Sequence, residues 1–335
     1  MVPVLASTKA LQAQEAGPDD QDVEEGLSDE YSQEMQQRMG GVLTYRHEDG
    51  MNYNDIIDDL IVGSCPQKAT DVDRLADAGV GTIFCLQEDS DMAYFDLDVQ
   101  PIIDRCKQRG DIKHVRFPVR DFDPFSLRQR LPEAVATLVK EAASGRGKLY
   151  IHCTAGMGRA PGTALAYMYW YKGFQLMEAH KHLTGRRACN PKLTAIRAAT
   201  CDILFDGKGT APVSIAMPRS KAGTAQHVQV AGLDVGWGQR LDLQLNAQSQ
   251  RFELELDLPV GKFAYKFIFD DVWTYSADHP TLLDGDSINN YVEVLGNMSN
   301  PKINAARERL LSEEGLMEQE ERETIINWLE TCDSV

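Results

Sequence analysis

The stretch Lys148–Gly162, KLYIHCTAGMGRAPG, decides the fold of the central part of this chain. It predicts a buried strand over Leu149–His152, followed by a tight loop over Cys153–Gly158. A helix then opens at Arg159, with Pro161 in its first turn, where proline is tolerated. A glycine-containing loop between a strand and a helix N-terminus is typical of anion sites, so the stretch predicts a phosphate-binding loop in an α/β domain.

This loop carries the residue types that phosphate chemistry needs. Its backbone N–H groups converge on the centre, and the positive end of the following helix adds to that field. The field favours an anion, and the first anion available is the thiolate of Cys153. Arg159 is planar and permanently charged, so it can hold two phosphoryl oxygens at once. The residues of the predicted loop between these two are Thr154, Ala155, Gly156, Met157 and Gly158.

The alternative is a plain buried cysteine followed by a helix, but this explains neither the two glycines nor the arginine. His152-Cys153, five residues and Arg159 together resemble the signature of the cysteine-dependent phosphatases of the protein tyrosine and dual-specificity group. The version Cys-Thr-Ala-Gly-Met-Gly-Arg resembles that of the glucan phosphatases. The resemblance implies that Cys153 is the nucleophile and that Arg159 binds the transferred phosphoryl group.

The composition argues against several classes of partner. A formal net charge of -17 and a pI near 4.8 fit neither nucleic acid nor an anionic membrane surface. No apolar run approaches the length of a membrane span. The seven cysteines include no Cys-x-x-Cys pair and form no disulfide framework, so a reducing compartment is expected.

The chain divides into five predicted regions. Residues 1–38 are acidic and are expected to be disordered, with a composition unlike that of a transit peptide. Residues 40–205 alternate strands with helices and predict an α/β phosphatase domain, whose mostly parallel central sheet is flanked by helices. Residues 206–226 are rich in Gly, Pro, Ser and Lys and predict a linker. Residues 227–300 predict an all-β sandwich, and residues 301–335 predict an amphipathic C-terminal helix.

A carboxylic acid in the loop after the predicted strand His114–Val119 is a candidate general acid. Asp121 and Asp123 both lie in that loop. Asp123 precedes Pro124 and fits a turn-forming role, since Asp-Pro commonly initiates turns. The family resemblance points to Asp121, and we take Asp121 as the acid.

Aromatic residues cluster in the loops near the predicted active site. Each one taken singly is a core residue by default. Three of them, Tyr53, Phe95 and Phe122, match the glucan channel of the plant starch-excess phosphatases, and this resemblance implies a surface on which sugar rings stack. The chain departs from the family at Asn190, where an aromatic is usual.

The β-rich region resembles a family 48 carbohydrate-binding module, an immunoglobulin-like sandwich. The resemblance rests on residues 232–238, residues 265–270, Trp273 and residues 289–291. It implies that Trp237 and Trp273 form a stacking platform and that Lys266 and Asn290 bind sugar hydroxyls. Core tryptophans are the alternative. The family usually has His-Thr before its Asn pair, where this chain has Ser287 and Ile288.

Cys85 ends the apolar part of the predicted strand GTIFC, and neighbouring parallel strands deliver their carboxyl ends to one rim of a sheet. Its Cα atom can therefore fall within the ~4.4–6.8 Å of Cys153 that a disulfide demands. The resemblance implies that Cys85 and Cys153 pair under oxidation. A buried, inert Cys85 is the alternative.

These features together predict a glucan phosphatase that removes phosphate from glucose units of starch or amylopectin through a phosphocysteine. The mechanism needs no metal or other cofactor. One alternative is a protein phosphatase tethered to starch by its sugar-binding module, and another is a catalytically silent glucan-binding scaffold. The intact Cys153, Asp121 and Arg159 argue against the scaffold. A chloroplast location follows from the resemblance alone.

Overall fold

The computed structural model describes residues 18–39, 43–205, 210–259, 261–284, 287–295 and 301–332. The helices are α1 (Pro18–Met39), α2 (Ala69–Asp77), α3 (Asp89–Tyr94), α4 (Gln100–Arg109), α5 (Pro124–Ala143), α6 (Arg159–Trp170), α7 (Leu176–Thr184), α8 (Leu193–Phe205), α9 (Pro301–Leu311) and α10 (Gln319–Thr331). The strands are β1 (Tyr53–Ile57), β2 (Leu60–Gly63), β3 (Val80–Cys85), β4 (Lys113–Arg116), β5 (Lys148–His152), β6 (Thr210–Pro218), β7 (Val228–Gly232), β8 (Gly236–Asp242), β9 (Gln244–Asn246), β10 (Arg251–Pro259), β11 (Gly261–Phe269), β12 (Val272–Thr274), β13 (Thr281–Asp284) and β14 (Ser287–Val294).

The N-terminal domain is built on a five-stranded sheet in the order β1-β2-β5-β3-β4. The pairs β2–β5, β5–β3 and β3–β4 are parallel, and β1 is an antiparallel edge strand. The predicted mostly parallel sheet is thus confirmed. Strand β5 lies at the centre, so its carboxyl end opens between two neighbours, where ligands of such sheets bind.

Helices cover both faces of this sheet. Helices α5, α6 and α8 bury one face, with Leu60, Phe84 and Ile151 fully enclosed. Helices α2 and α4 bury the other face around Ile83 and Tyr150. Each fully buried aliphatic or aromatic side chain of this kind contributes about 1.5–3 kcal/mol. No helix in the described ranges is long and apolar enough to span a membrane.

The second domain is a β-sandwich, as predicted. One sheet has the order β6-β10-β9, and the other has the order β13-β14-β11-β7-β8 with β12 added to β11. Side chains from both sheets meet in a separate core that includes Ile215, Phe252, Tyr265 and Phe267. The module therefore has its own hydrophobic core.

The prediction of disorder over residues 1–38 is wrong for residues 18–38, which belong to helix α1; residues 1–17 lie outside the described part. Leu27, Tyr31 and Met35 recur every four residues and share one face of the helix. This face packs against the phosphatase domain, and Met35 is 1% exposed. Burial of this apolar stripe offsets the ordering entropy that the acidic composition alone could not.

The predicted linker over residues 206–226 is also wrong where the structure describes it, from residue 210 onward. Strand β6 pairs along its whole length with β10. Val213, Ile215 and Met217 alternate with more polar or more exposed residues and point into the sandwich core. The period-two pattern decides the structure here, and the turn-like composition does not.

The C-terminal region forms two helices rather than one. Ile325 and Leu329 of α10 are fully buried in the core of the phosphatase domain, beside α5 and α8. The chain therefore returns from the β-module to close the first domain.

Candidate active site

Cys153 follows the last residue of β5 and is 3% exposed. The loop after it turns sharply at Gly156, whose φ of +69° lies in the left-handed region. A Cβ atom at Gly156 would overlap the backbone of Gly63, so the site requires glycine. Thr154 anchors the loop, because its carbonyl accepts from the N–H of Cys65 at 2.9 Å.

Arg159 is the first residue of α6 and is almost fully buried. It donates to Asp91 at 2.5 Å and to the carbonyl of Val119 at 2.9 Å, and it pairs with Asp121 at 2.8 Å. Burial opposes its charge, but Asp121, Cys153 and Asp91 together raise its pKa well above the ordinary value. The guanidinium is therefore held rigidly beside Cys153 as a permanent cation.

Arg187, which is not among the predicted site residues, supports the active-site loop through that loop's backbone carbonyls. Its Nε donates to the carbonyl of Gly156 at 2.7 Å, and its Nη2 donates to that of Ala155 at 2.9 Å. Asn52 and Asn54 accept from its remaining N–H groups. Two loop carbonyls that turn away toward Arg187 leave the opposite side of the loop to N–H groups. In the sequence Arg187 is one of two adjacent arginines, and nothing in the local pattern distinguishes it from Arg186.

The structure separates the two candidate acids. Asp123 is the N-cap of α5, where its side chain accepts from the N–H groups of Phe125 and Ser126 at 2.9 and 3.0 Å. Its Oδ1 is thereby committed to the helix, although the residue also borders the active-site cavity. Asp121 instead directs Oδ2 at Arg159, within the cavity that the active-site loop borders.

The three residues of the predicted channel do not come together. Phe95 and Phe122 belong to an aromatic cluster with Tyr31 and Tyr45. Tyr53 packs against Tyr150 in the core on the α2 and α4 side, and it does not border the active-site cavity. The tyrosines of the aromatic cluster are Tyr31 and Tyr45, and Tyr53 is not among them.

Helix α1 covers this cluster and reaches the catalytic residues. The hydroxyl of Tyr31 donates to Oδ2 of Asp121 at 2.8 Å, and burial raises the pKa of Tyr31 well above its usual range. Ser32 both donates to and accepts from the backbone of Tyr45, which fastens the helix to the domain. Tyr31 is not among the predicted site residues, because its only signal in the sequence is its place in the apolar stripe of α1.

A cavity of about 550 Å³ opens over Asp121 and Arg159. Its cations, beyond Arg159 itself, are contributed by Arg38, Arg120 and Lys192. In a chain with a formal net charge of -17, such a lining marks a local site for an anion. Asn190 also borders the cavity and donates to the carbonyl of Met39 at 2.6 Å.

A second cavity, a groove of about 360 Å³, lies on the β-module. Trp237 and Trp273 border it with 44% and 43% of their surfaces exposed, and their ring centroids are 6.4 Å apart. Exposed, neighbouring tryptophans are unlike core residues and suit stacking on sugar rings. The remaining lining residues are Lys266, Asp284, Ser287 and Asn289. Trp237 also borders the active-site cavity, so the two cavities share a wall.

Asn290 does not line this groove, contrary to the sequence interpretation. It is fully buried, accepts from the N–H of Ser276 at 2.8 Å and donates to the carbonyl of Ser276 at 2.7 Å. Its neighbour Asn289 lines the groove instead. Successive residues of a strand point to opposite faces, so a shift of one position exchanges a side chain that borders the groove for one that is hydrogen-bonded inside the module.

Cys85 and Cys153 are both free thiols in this structure. Cys85 pairs in register with His152, the residue before Cys153. Burial raises the pKa of the Cys85 thiol to about 11 and lowers the pKa of His152 to about 3. The Cys85 thiol lies near the rings of His114 and His152, whereas Cys153 packs in the core on the α5 and α6 face.

Comparison with known proteins agrees with this division into two sites. A family described as "Swiss Army Knife protein, DSP-PTPase phosphatase domain" matches residues 57–210. A family described as "Glycogen recognition site of AMP-activated protein kinase" matches residues 220–300. The solved structure of Cydia Pomonella PTP-2 phosphatase is similar with a TM-score of 0.37 and 19% identity, over 48% of this chain and 92% of its own.

Two curated relatives match most of the chain. Phosphoglucan phosphatase LSF1, chloroplastic, from Arabidopsis thaliana is 31% identical over 268 residues, which are 78% of this chain and 45% of LSF1. Phosphoglucan phosphatase DSP4, amyloplastic, from Castanea sativa is 43% identical over 314 residues, which are 93% of this chain and 83% of DSP4. A cysteine–arginine phosphate loop, a sugar-binding type of module and identity along nearly the whole length agree, and the chain belongs to the phosphoglucan phosphatase family.

Proposed function

We propose that this protein removes phosphate monoesters from glucose units of a phosphorylated, starch-like glucan. The observation that carries the proposal is the position of Trp237, which borders both the active-site cavity and the sugar groove. A glucan chain that stacks on the module is thereby delivered to the phosphate loop. The glycogen-recognition family that matches the module and the names of the two relatives support the same substrate class.

The reaction starts with attack of the Cys153 thiolate on phosphorus, in line with the leaving sugar oxygen. The loop N–H groups and Arg159 stabilise the negative charge that spreads over the three remaining oxygens. Asp121 gives a proton to the departing glucose hydroxyl, and the phosphoryl group stays on sulfur as a phosphocysteine. Water, deprotonated by the same carboxylate, then releases inorganic phosphate and restores the thiolate.

The test compares two substrates with the full-length protein. Phosphate release from phosphorylated amylopectin is expected to exceed release from a phosphotyrosine peptide at equal phosphate concentration, and Cys153→Ser should abolish both. Preference for the peptide would contradict the proposal and favour a protein phosphatase tethered to glucan. Binding of unphosphorylated amylopectin by Cys153→Ser separates loss of chemistry from loss of fold.

The partner that we propose is amylopectin or a related phosphorylated glucan of a plastid. The names of the two relatives place one in amyloplasts and one in chloroplasts, and this resemblance supports a plastid location here. A fluorescent fusion of the complete gene product, imaged beside starch granules, tests both statements.

We further propose that oxidation joins Cys85 to Cys153. The register places Cys85 beside the residue before Cys153, and strand spacings give a Cα separation of roughly 5.8 Å. A disulfide accepts ~4.4–6.8 Å. Hydrogen peroxide would take two electrons and two protons from the two thiols, and a dithiol would return them. The thiols lie toward opposite faces, so the active-site loop must shift for the bond to form.

This pairing is tested by oxidation and recovery. Oxidised wild type should regain activity with a dithiol, and oxidised Cys85→Ser should regain less, because Cys153 then lacks a partner and oxidises further. The variant Cys201→Ser, in the core of α8, controls for the loss of a buried thiol. Equal recovery in all three proteins would make Cys85 a plain core residue.

A further inference from the structure

Three potential metal ligands converge behind the active-site loop, on the sheet face opposite Cys153. The Sγ of Cys85 and one ring nitrogen from each of His114 and His152 lie within 4.8 Å of one another. They come from three adjacent strands, β3, β4 and β5: Cys85 and His152 end their strands, and His114 is the second residue of β4. None of the three takes part in the phosphatase mechanism proposed above. His152 belongs to the phosphatase signature, but Cys85 and His114 lie outside it.

The hydrogen bonding of His152 leaves a nitrogen lone pair without a donor. Its Nδ1 lies 3.1 Å from the carbonyl of Cys153, and because a carbonyl only accepts, Nδ1 carries the proton. Nε2 is then an acceptor. It is buried without a partner, in a residue that is 2% exposed. An N–H group fixed by a backbone carbonyl, with the other nitrogen free, is the arrangement of a metal-binding histidine.

His114 supplies a second unsatisfied atom at the same place. Its Nε2 is also buried without a partner. Two unpaired ring nitrogens beside one thiol are costly in a core, since each buried unsatisfied group costs about 1–3 kcal/mol. Part of the His114 ring borders a surface cavity of about 280 Å³ next to α4, which gives a route from solvent.

The surrounding charges allow a divalent ion here. Two guanidinium groups, those of Arg116 and Arg159, lie close enough to Cys85 to act on its thiol electrostatically. Each is paired: Arg116 with Asp89 at 2.8 Å, and Arg159 with Asp91 and Asp121. Three carboxylates thus balance two cations, and the cysteine adds a further negative charge as a thiolate.

We infer that Cys85, His114 and His152 form a binding site for Zn²⁺. One thiolate and two imidazoles are ligands that this borderline-soft ion prefers, with water completing four-coordination. Bond lengths of about 2.0–2.3 Å imply ligand separations near ~3.5 Å, which atoms within 4.8 Å of one another reach by side-chain adjustments of at most about 1.3 Å. Cys85 releases its thiol proton to solvent, and both histidines bind as neutral rings.

The site would also compete with oxidation. A Cys85 thiolate bound to zinc is not available to form a disulfide with Cys153. This consequence rests on the proposed pairing of the two cysteines, whereas the metal site itself depends neither on that pairing nor on the proposed substrate.

The test uses the full-length, reduced Cys153→Ser protein, in which the catalytic thiol cannot bind metal, and Co²⁺ as the probe. One equivalent of Co²⁺ should produce a thiolate-to-cobalt charge-transfer band and the intense visible bands of four-coordinate cobalt, and Zn²⁺ should bleach both. Adding Cys85→Ser should remove the charge-transfer band, and adding His114→Gln should weaken Co²⁺ binding by at least about tenfold.

Adding Cys106→Ser gives the matched control. Cys106 is a buried thiol on the same side of the sheet, and it borders the same cavity as His114. This variant should keep the full spectrum. A band that survives Cys85→Ser, or no saturable binding at one equivalent, would overturn the inference and leave a buried water as the partner of Nε2. Circular dichroism and melting without metal show whether each variant is folded.

Discussion

Arg128 of helix α5 and Asp234 of the β-module form an ion pair that joins the two domains, with Nη1 2.6 Å from Oδ1. The other edge of the same guanidinium holds Asp202 of α8 at 2.6 and 2.7 Å. Asp234 lies three residues before Trp237 in the chain. The pair therefore fixes where the tryptophan stands relative to the active-site cavity.

Replacing Arg128 by Gln should uncouple the sugar groove from the active site. Phosphate release from phosphorylated amylopectin should fall several-fold, while hydrolysis of a small phosphate ester is retained. Loss of these charged hydrogen bonds should also cost about 2–3 kcal/mol of unfolding free energy. Arg130→Gln is the matched control, because its contacts with Glu133 and Phe117 lie within the phosphatase domain. An equal loss of activity on amylopectin and on the small phosphate ester would show that the variant damages the phosphatase domain itself.

Asp121→Ala and Asp123→Ala should fail in different ways. The first variant should slow release from phosphoglucan by roughly 10²–10⁴-fold, and much less from an aryl phosphate, whose leaving group needs no proton. Asp123→Ala should lower the free energy of unfolding by about 1 kcal/mol, because the helix loses its N-cap. The ratio of its rates on phosphoglucan and on the aryl phosphate should equal that of wild type. The measurements are kcat on each substrate and urea unfolding. A changed ratio only in Asp123→Ala would move the acid role to Asp123.

Neighbouring asparagines of β14 should separate binding from folding. Asn289 borders the groove but is only 3% exposed, so Asn289→Ala should weaken binding to amylopectin and lower the melting temperature of the module only slightly. Asn290→Ala should lower the melting temperature, because the backbone groups of Ser276 lose their partners. Trp237→Ala and Trp273→Ala should behave like Asn289→Ala, since stacking area is lost from an exposed surface. Unfolding of the module in either tryptophan variant would make that residue core.

Helix α1 should control access to the catalytic thiol. Tyr31→Ala should cost about 3–5 kcal/mol as a buried aromatic is removed, and should speed alkylation of Cys153 by iodoacetamide. Tyr31→Phe keeps the packing and loses only the hydrogen bond to Asp121, so its cost should be near 1 kcal/mol. Alkylation rates that match wild type in Tyr31→Ala would show that α1 does not restrict the thiol.

The phosphate loop and the parallel sheet could be predicted because each depends on local pattern. Cys153 and Arg159 flank a single short loop between a strand and a helix, so their spacing is visible in the sequence. Short apolar runs that alternate with helices predict parallel strands. The separate role of Asp123 was also foreseeable, since a residue before Pro124 at a helix start is a capping position. Local rules were sufficient for these features.

Other features depend on tertiary packing and escaped the same reasoning. The acidic composition around Tyr31 concealed a helix that is stabilised by its contacts with the phosphatase domain. The separation of Tyr53 from Phe95 and Phe122 could not be predicted without knowing which loop lies next to Phe95. Asn289 and Asn290 differ only in the face of the strand that each one occupies, and no single sequence fixes that register.

Trp237 borders both cavities, so a glucan bound to the module has a high effective concentration at the active site. A phosphate on a chain already held by the module reaches Cys153 as an intramolecular event, at a local concentration set by the short span between the sites. Malto-oligosaccharides too short to bridge that span gain nothing from the module. Turnover should therefore rise with glucan chain length up to the length that first bridges the two sites, and then level off.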